Sequence, residues 1–219
     1  METPSIEKYL LSTCLFTIDE FNEMYKSLSK NELKEIADTQ YNEMDICVRI
    51  GDPFKNIHYT VGDGNKNRSK SNHDLYLKSK DFKIEIKYLK NWKSESGTKS
   101  SSKNWKEYQI DFDWLEQELK ENKGKRAFVI GWFNCVDKFS QLMQLGDAPG
   151  SRPLVDEKKL VYFPFLKRLS IPTYTQDLIY NYKSSYEEKS IEPIGEKYSN
   201  MKCMFLGNEA DKFHFAIYY

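Results

Sequence analysis

The stretch from Ser71 to Leu89 constrains the fold more than any other part of the chain. Phe82, Ile84, Ile86 and Tyr88 alternate with Lys83, Glu85 and Lys87, the period of two that sends successive side chains to opposite faces of a strand. Upstream, Leu75 and Leu77 alternate in the same way with Asp74, Tyr76 and Lys78, and the polar Ser79-Lys80-Asp81 between the two runs is compatible with a turn. The pattern predicts a β-hairpin. If Leu75 and Leu77 share the core face with Ile84 and Ile86, Asp74 falls opposite either Glu85 or Lys87. Both registers put Asp74, Glu85 and Lys87 close together on the face turned away from the apolar one. Two carboxylates at that spacing repel unless a positive charge sits between them, and a divalent cation with oxygen ligands is a common answer.

The surrounding pattern supplies helices and one buried strand. Residues 5 to 37 look helical, with Thr17 and Glu20 spaced as a capping box and Ser29 and Glu32 spaced as another. The second cap predicts a helix from about Lys30 to Val48 that stops before Gly51-Asp52-Pro53, with Leu33, Ile36, Ala37, Tyr41, Met44 and Val48 as its core stripe. Glu43 borders that stripe. A short strand is expected over Ile57 to Val61. Residues 110 to 122 read as a helix with Asp111 as its cap, and Ala127 to Phe133 is a nearly continuous apolar run, as in a strand covered on both faces. Further on, a helical turn is expected over Phe139 to Leu145, a strand over Lys159 to Phe165 and a tyrosine-rich helix over Tyr174 to Tyr186. A terminal hairpin is expected from Met201 to Leu206 and Lys212 to Tyr219, with His214 structural.

Acid at the start of one strand, then acid-x-Lys on the next, here Asp74 and Glu85-Ile86-Lys87, resembles the catalytic core of the PD-(D/E)XK nuclease superfamily. His73 stands before Asp74 where the family name carries proline. The order helix, two hairpin strands, helix, buried strand is also the one expected of that core. The resemblance covers roughly residues 30 to 135. It implies an α/β fold of the restriction-endonuclease type, a central mixed β-sheet flanked by helices. It further implies that Asp74 and Glu85 bind Mg²⁺ or Mn²⁺, that Lys87 orients or activates the attacking water or stabilises charge on the phosphate, and that Glu43 is an extra metal-supporting acid. Residues 5–29 and 136–219 then become an N-terminal helical segment and a C-terminal extension of a single domain.

Two basic loops are expected to emerge beside Asp74 and Lys87. One, over residues 62–72, carries Lys66, Arg68 and Lys70; the other, over residues 90–106, carries Lys90, Lys93, Lys99, Lys103 and Lys106. A phosphodiester backbone needs such cations, and Trp92 and Trp105 either stack on an unpaired base or pack at the loop base. The expected partner is DNA, with RNA as the other candidate and a homodimer suited to duplex cleavage.

Composition sets the outer limits. The 219 residues hold 33 Lys plus Arg against 33 Asp plus Glu, so any nucleic-acid site is local rather than a global basic field. Four cysteines lack Cys-x-x-Cys spacing and three histidines are scattered, which argues against structural zinc and for reduced thiols in a cytoplasmic protein. The first residues do not resemble a signal peptide, and no segment is apolar for long enough to span a bilayer. An HD-type metallophosphohydrolase is set aside because His73-Asp74 leads into a strand pattern. The rival from another class is a non-catalytic α/β binding or immunity-type protein with a degenerate nuclease-like fold, whose charged hairpin is surface only.

Overall fold

Strand β4 (Lys125–Phe133) is buried on both sides from Arg126 onward, and the molecule is layered around it. The computed structural model describes residues 6–54, 57–59, 74–90, 101–121, 125–136, 142–146, 153–194 and 197–219. Before β4 come helices α1 (Ile6–Tyr25), α2 (Lys30–Thr39) and α3 (Glu43–Gly51), strands β1 (Ile57–Tyr59), β2 (Leu75–Leu77) and β3 (Phe82–Tyr88), and helix α4 (Ser101–Glu121). After it come the short helix α5 (Glu157–Leu160) and strands β5 (Leu166–Arg168), β6 (Leu178–Tyr180), β7 (Glu188–Ser190), β8 (Lys202–Leu206) and β9 (Phe213–Tyr218). Among the described residues these strands form a seven-stranded sheet in the order β1-β2-β3-β4-β9-β8-β7 and a two-stranded one of β5 and β6. β3 and β4 run parallel, joined through α4, and every other pairing is antiparallel. The fold is thus a mixed sheet flanked by helices. No described helix is long and apolar enough to cross a membrane.

Alternation along β4 and β9 divides the interior in two. Ala127, Val129, Phe133, Phe213, Phe215 and Ile217 face α1, α2 and α3, where Leu10, Phe21, Leu33, Ala37 and Ile46 meet them. Phe128, Ile130, Trp132, Ala216 and Tyr218 face the other way, against Phe112 and Leu115 of α4 and Phe163 and Phe165 beyond α5. β3 differs on this second face. Its first face is apolar through Phe82, Ile84, Ile86 and Tyr88, but its second carries Lys83, Glu85 and Lys87 toward the α4 layer.

The hairpin adopts the first of the two expected registers, with Leu75 opposite Ile84 and Leu77 opposite Phe82. Asp81 closes the turn in the left-handed region, φ 45°. Ser29 and Glu32 form the expected capping box. Thr17 does not cap. α1 continues through it, and its hydroxyl donates to the Thr13 carbonyl one turn back. The helix expected over residues 30 to 48 is two helices, because Asn42 and Asp45 form a second capping box and start α3 afresh. That break resets the helical phase: Ile46, Cys47 and Ile50 are buried, while Met44 and Val48 are exposed.

Two C-terminal expectations are corrected. Residues 159–165 are not a strand; Asp156 caps α5 through the Lys158 amide, and turns follow. The segment 174–186 is no α-helix but two short 3₁₀ turns, Thr175–Asp177 and Tyr182–Ser184, flanking β6, whose three residues pair with β5. Of the helical turn expected over 139–145 only residues 142–145 are described: Leu142 is helical, Met143 is in a turn and Gln144 bridges to Val155, and the rest lies outside the described residues. The terminal hairpin forms as β8 and β9, with His214 fully buried.

Candidate functional site

Among the described residues β2 is short. The ladder it makes there with β3 ends at Leu75 opposite Ile84, and beyond that point side chains act as acceptors for the outward amides of β3. Asp74 supplies one: its Oδ2 accepts from the Ile86 amide at 2.8 Å, while its own amide donates to the Ile84 carbonyl at 2.9 Å. The next outward amide, Tyr88, acts on the carboxyl of Glu43 at the first position of α3. This edge of β3 thus collects acidic side chains.

Glu85 and Lys87 stand on the α4 side of β3, beside Phe128 and Ile130 of β4. The Lys87 ammonium lies 3.3 Å from Glu85 Oε1, 3.5 Å from Asp111 Oδ2 and 3.8 Å from Glu43 Oε2. Glu85 and Asp111 are each only 8% exposed.

Asp111 is the site residue that the sequence reading missed. It was expected to cap a helix, but α4 begins at Ser101, which puts Asp111 in mid-helix. Tyr108, Phe112 and Leu115 form the buried stripe of α4. Asp111, three after Tyr108 and four before Leu115, falls within it. A carboxylate at that phase was the available signal.

Four carboxyls around one ammonium dominate the electrostatics. Burial pushes Glu85 up to about 8, and Asp74 adds the largest charge effect while Lys87 opposes it. Burial likewise raises Asp111 to about 7 against the pull of Lys87. Glu43 is raised by burial, with Lys87 opposing and Asp74 adding. For Lys87, burial works downward, but Asp111, Glu43, Glu85 and Asp74 together outweigh it and hold the ammonium well above its ordinary range. Lys87 is thus charged at any working pH, and the acids are short of positive charge.

This donor set fits a hard divalent cation in kind. The ligating atoms would be carboxylate oxygens, and Asp111 Oδ2 is buried without a hydrogen bond. In position it is not yet assembled: among the described residues, no group of three or more His, Cys, Asp or Glu is drawn together closely enough to hold an ion.

The other expected site residues divide clearly. Lys66, Arg68, Lys70, Trp92, Lys93 and Lys99 lie outside the described residues. Lys90 is half-buried just after β3. Lys103 and Lys106 are exposed on the first turns of α4, not in a loop. Trp105 is packed in the core rather than presented to a base. It is 9% exposed, its ring centroid is 5.0 Å from that of Tyr162 and 6.3 Å from those of Phe112 and Phe163, and the Lys159 ammonium lies 5.9 Å from it.

Comparison with protein-family models, curated proteins and solved structures finds no match to this chain.

Proposed function

We propose that the protein is a metal-dependent nuclease of the PD-(D/E)XK kind, hydrolysing phosphodiester bonds in DNA at the cluster of Asp74, Glu85 and Lys87. The observation that carries this reading is the meeting of two acids with the lysine. Asp74 is fixed to the amide of Ile86, between Glu85 and Lys87, and exerts the strongest charge effect on Glu85, whose partner at 3.3 Å is Lys87. The order α3, antiparallel β1-β2-β3, α4, parallel β4 supports it as well. Asp74 and Glu85 would hold Mg²⁺ or Mn²⁺, with Glu43 beside them. A bound ion of this type supplies Lewis acidity and a water of lowered pKa. Lys87 places a permanent positive charge where the scissile phosphate would lie. Lys90, Lys103 and Lys106, near the ends of β3 and α4, offer cations to the neighbouring backbone.

The second reading is a binding or immunity-type protein that keeps this cluster as an inert ion-pair network. The pairing of Lys87 with Glu85, Asp111 and Glu43 favours it, since such networks also perturb ionisation without catalysis.

Supercoiled plasmid incubated with the protein, with and without Mg²⁺ or Mn²⁺, separates the two. The nuclease reading expects metal-dependent cleavage that disappears in Asp74→Asn and Lys87→Ala proteins of normal melting behaviour. Direct linearisation would favour a homodimer acting on both strands, and nicking a monomer. Absence of cleavage in either metal, on DNA and then on RNA, sinks the nuclease reading.

A further inference from the structure

We infer that Asp111 is the positioning residue for Lys87, the group that keeps its ammonium in the site once Glu85 is engaged elsewhere. The inference takes what Lys87 does from the reading above, and what Asp111 does from geometry alone.

Among the described residues three carboxylates lie within ion-pair distance of Lys87, and they are not equivalent. Glu85 is the nearest, but it is also a proposed ion ligand, and an ion would draw its oxygens away from the ammonium. Glu43 is the furthest at 3.8 Å, with a side chain 42% exposed, so water and salt weaken that pair. Asp111 has neither weakness. It sits 3.5 Å from Lys87 with a side chain only 11% exposed, in the middle of a helix of 21 residues. Its neighbour Phe112 is fully buried, in edge contact with Phe128 and Tyr218 at 5.1 and 4.9 Å between centroids. The backbone that carries this carboxylate therefore moves only with α4.

A charge within a core stripe is costly unless it is paired. Asp111 Oδ2 makes no hydrogen bond, and the cation facing it is Lys87. The pair links the helix that crosses from β3 to β4 with the strand that bears the site. This makes α4 the element that aims the lysine.

The test reads Lys87 directly. Metal-free native protein, Asp111→Asn and Glu43→Gln are treated with an amine-acylating reagent, and modification of Lys87 is followed by mass spectrometry. An amine released from a buried carboxylate partner is freer to move and easier for the reagent to reach. Acylation of Lys87 is therefore expected to be about tenfold faster in Asp111→Asn, and to change much less in Glu43→Gln. With Mg²⁺ and DNA, Asp111→Asn should lower kcat at an unchanged KM. Unchanged acylation of Lys87 in a folded Asp111→Asn protein overturns the assignment, whatever that protein does to DNA. Faster acylation in a protein that cuts no nucleic acid leaves the positioning intact and counts against the nuclease reading instead. Should Asp111→Asn fail to fold, adding Lys87→Met removes the cation stranded by the first change and restores a melting transition. A double variant that stays unfolded also overturns the assignment.

Discussion

Asp74 and Ile86 are joined by a 2.8 Å hydrogen bond in which the carboxylate accepts from the strand amide. Asp74 thus has a structural duty beside any chemical one. Asp74→Ala leaves that amide without its acceptor and should cost about 1–3 kcal/mol, seen as a lower urea midpoint. Asp74→Asn keeps an acceptor oxygen and should melt close to the native protein while losing cleavage. Equal stability of the two variants would mean that the bond does not matter in solution.

Stability should fall between about pH 4 and pH 8 in the absence of divalent ions. Asp111 and Glu85 are held up to about 7 and about 8 in the fold, whereas in the unfolded chain they lose their protons near pH 4. The folded state then binds more protons than the unfolded one above that point. Their contribution is complete below pH 4 and is lost as pH rises through 7 and 8. A cation binds the ionised acids, so the rise in melting temperature with Mg²⁺ or Mn²⁺ should be larger at pH 8 than at pH 6. A shift that is the same at both pH values would count against an ion among these carboxyls.

His214 gives the opposite slope over the acid part of that range. Burial among Trp132, Tyr180, Tyr182 and Phe205 pushes its imidazole down to about 4, against the Asn208 carbonyl and Asp211. The unfolded chain protonates this ring near pH 6.5, so its contribution is present above that value and is lost as pH falls toward 4, by roughly 3 kcal/mol in all. His214→Phe should flatten the acid limb relative to native protein between pH 4 and 6.5. Parallel limbs in the two unfolding curves would show that the ring is not kept neutral.

Trp105 should act through packing. Trp105→Ala removes a core ring and is expected to cost about 3–5 kcal/mol, whereas Trp105→Phe retains much of the contact with Tyr162 and Phe163 and should leave DNA affinity unchanged. A weakened complex with normal melting for Trp105→Phe would restore the base-stacking role.

Much of the scaffold was legible because it rests on short-range pattern. Leu75, Leu77, Ile84 and Ile86 fixed the faces of the hairpin, and Ala127 to Phe133 announced a strand covered on both sides. Choosing between the two registers was beyond that pattern, since both buried the same side chains. Local capping chemistry was legible where it stood alone, as at Ser29, and misleading where packing overrode it. Thr17 has the right neighbour in Glu20, yet Ile18 and Phe21 bury α1 straight through it. Asn42 and Asp45 had the reverse fate: a continuous apolar stripe masked their cap. Asp111 was hidden for a different reason. Its role depends on α4 lying across β3, a contact that no periodicity in the sequence announces.

The placing of β9 between β4 and β8 bears on how the protein is made. Phe128 meets Tyr218 and Phe133 meets Phe213, so the middle of the sheet joins segments far apart in the chain. Such contacts form late and slowly. A nascent or truncated polypeptide that contains β4 but not β9 presents an apolar strand with an open edge, a template for association with its own copies. Fragments ending before Phe213 should therefore accumulate as aggregates and call on chaperones, although the whole proposed site, from Glu43 to Asp111, is already present in them.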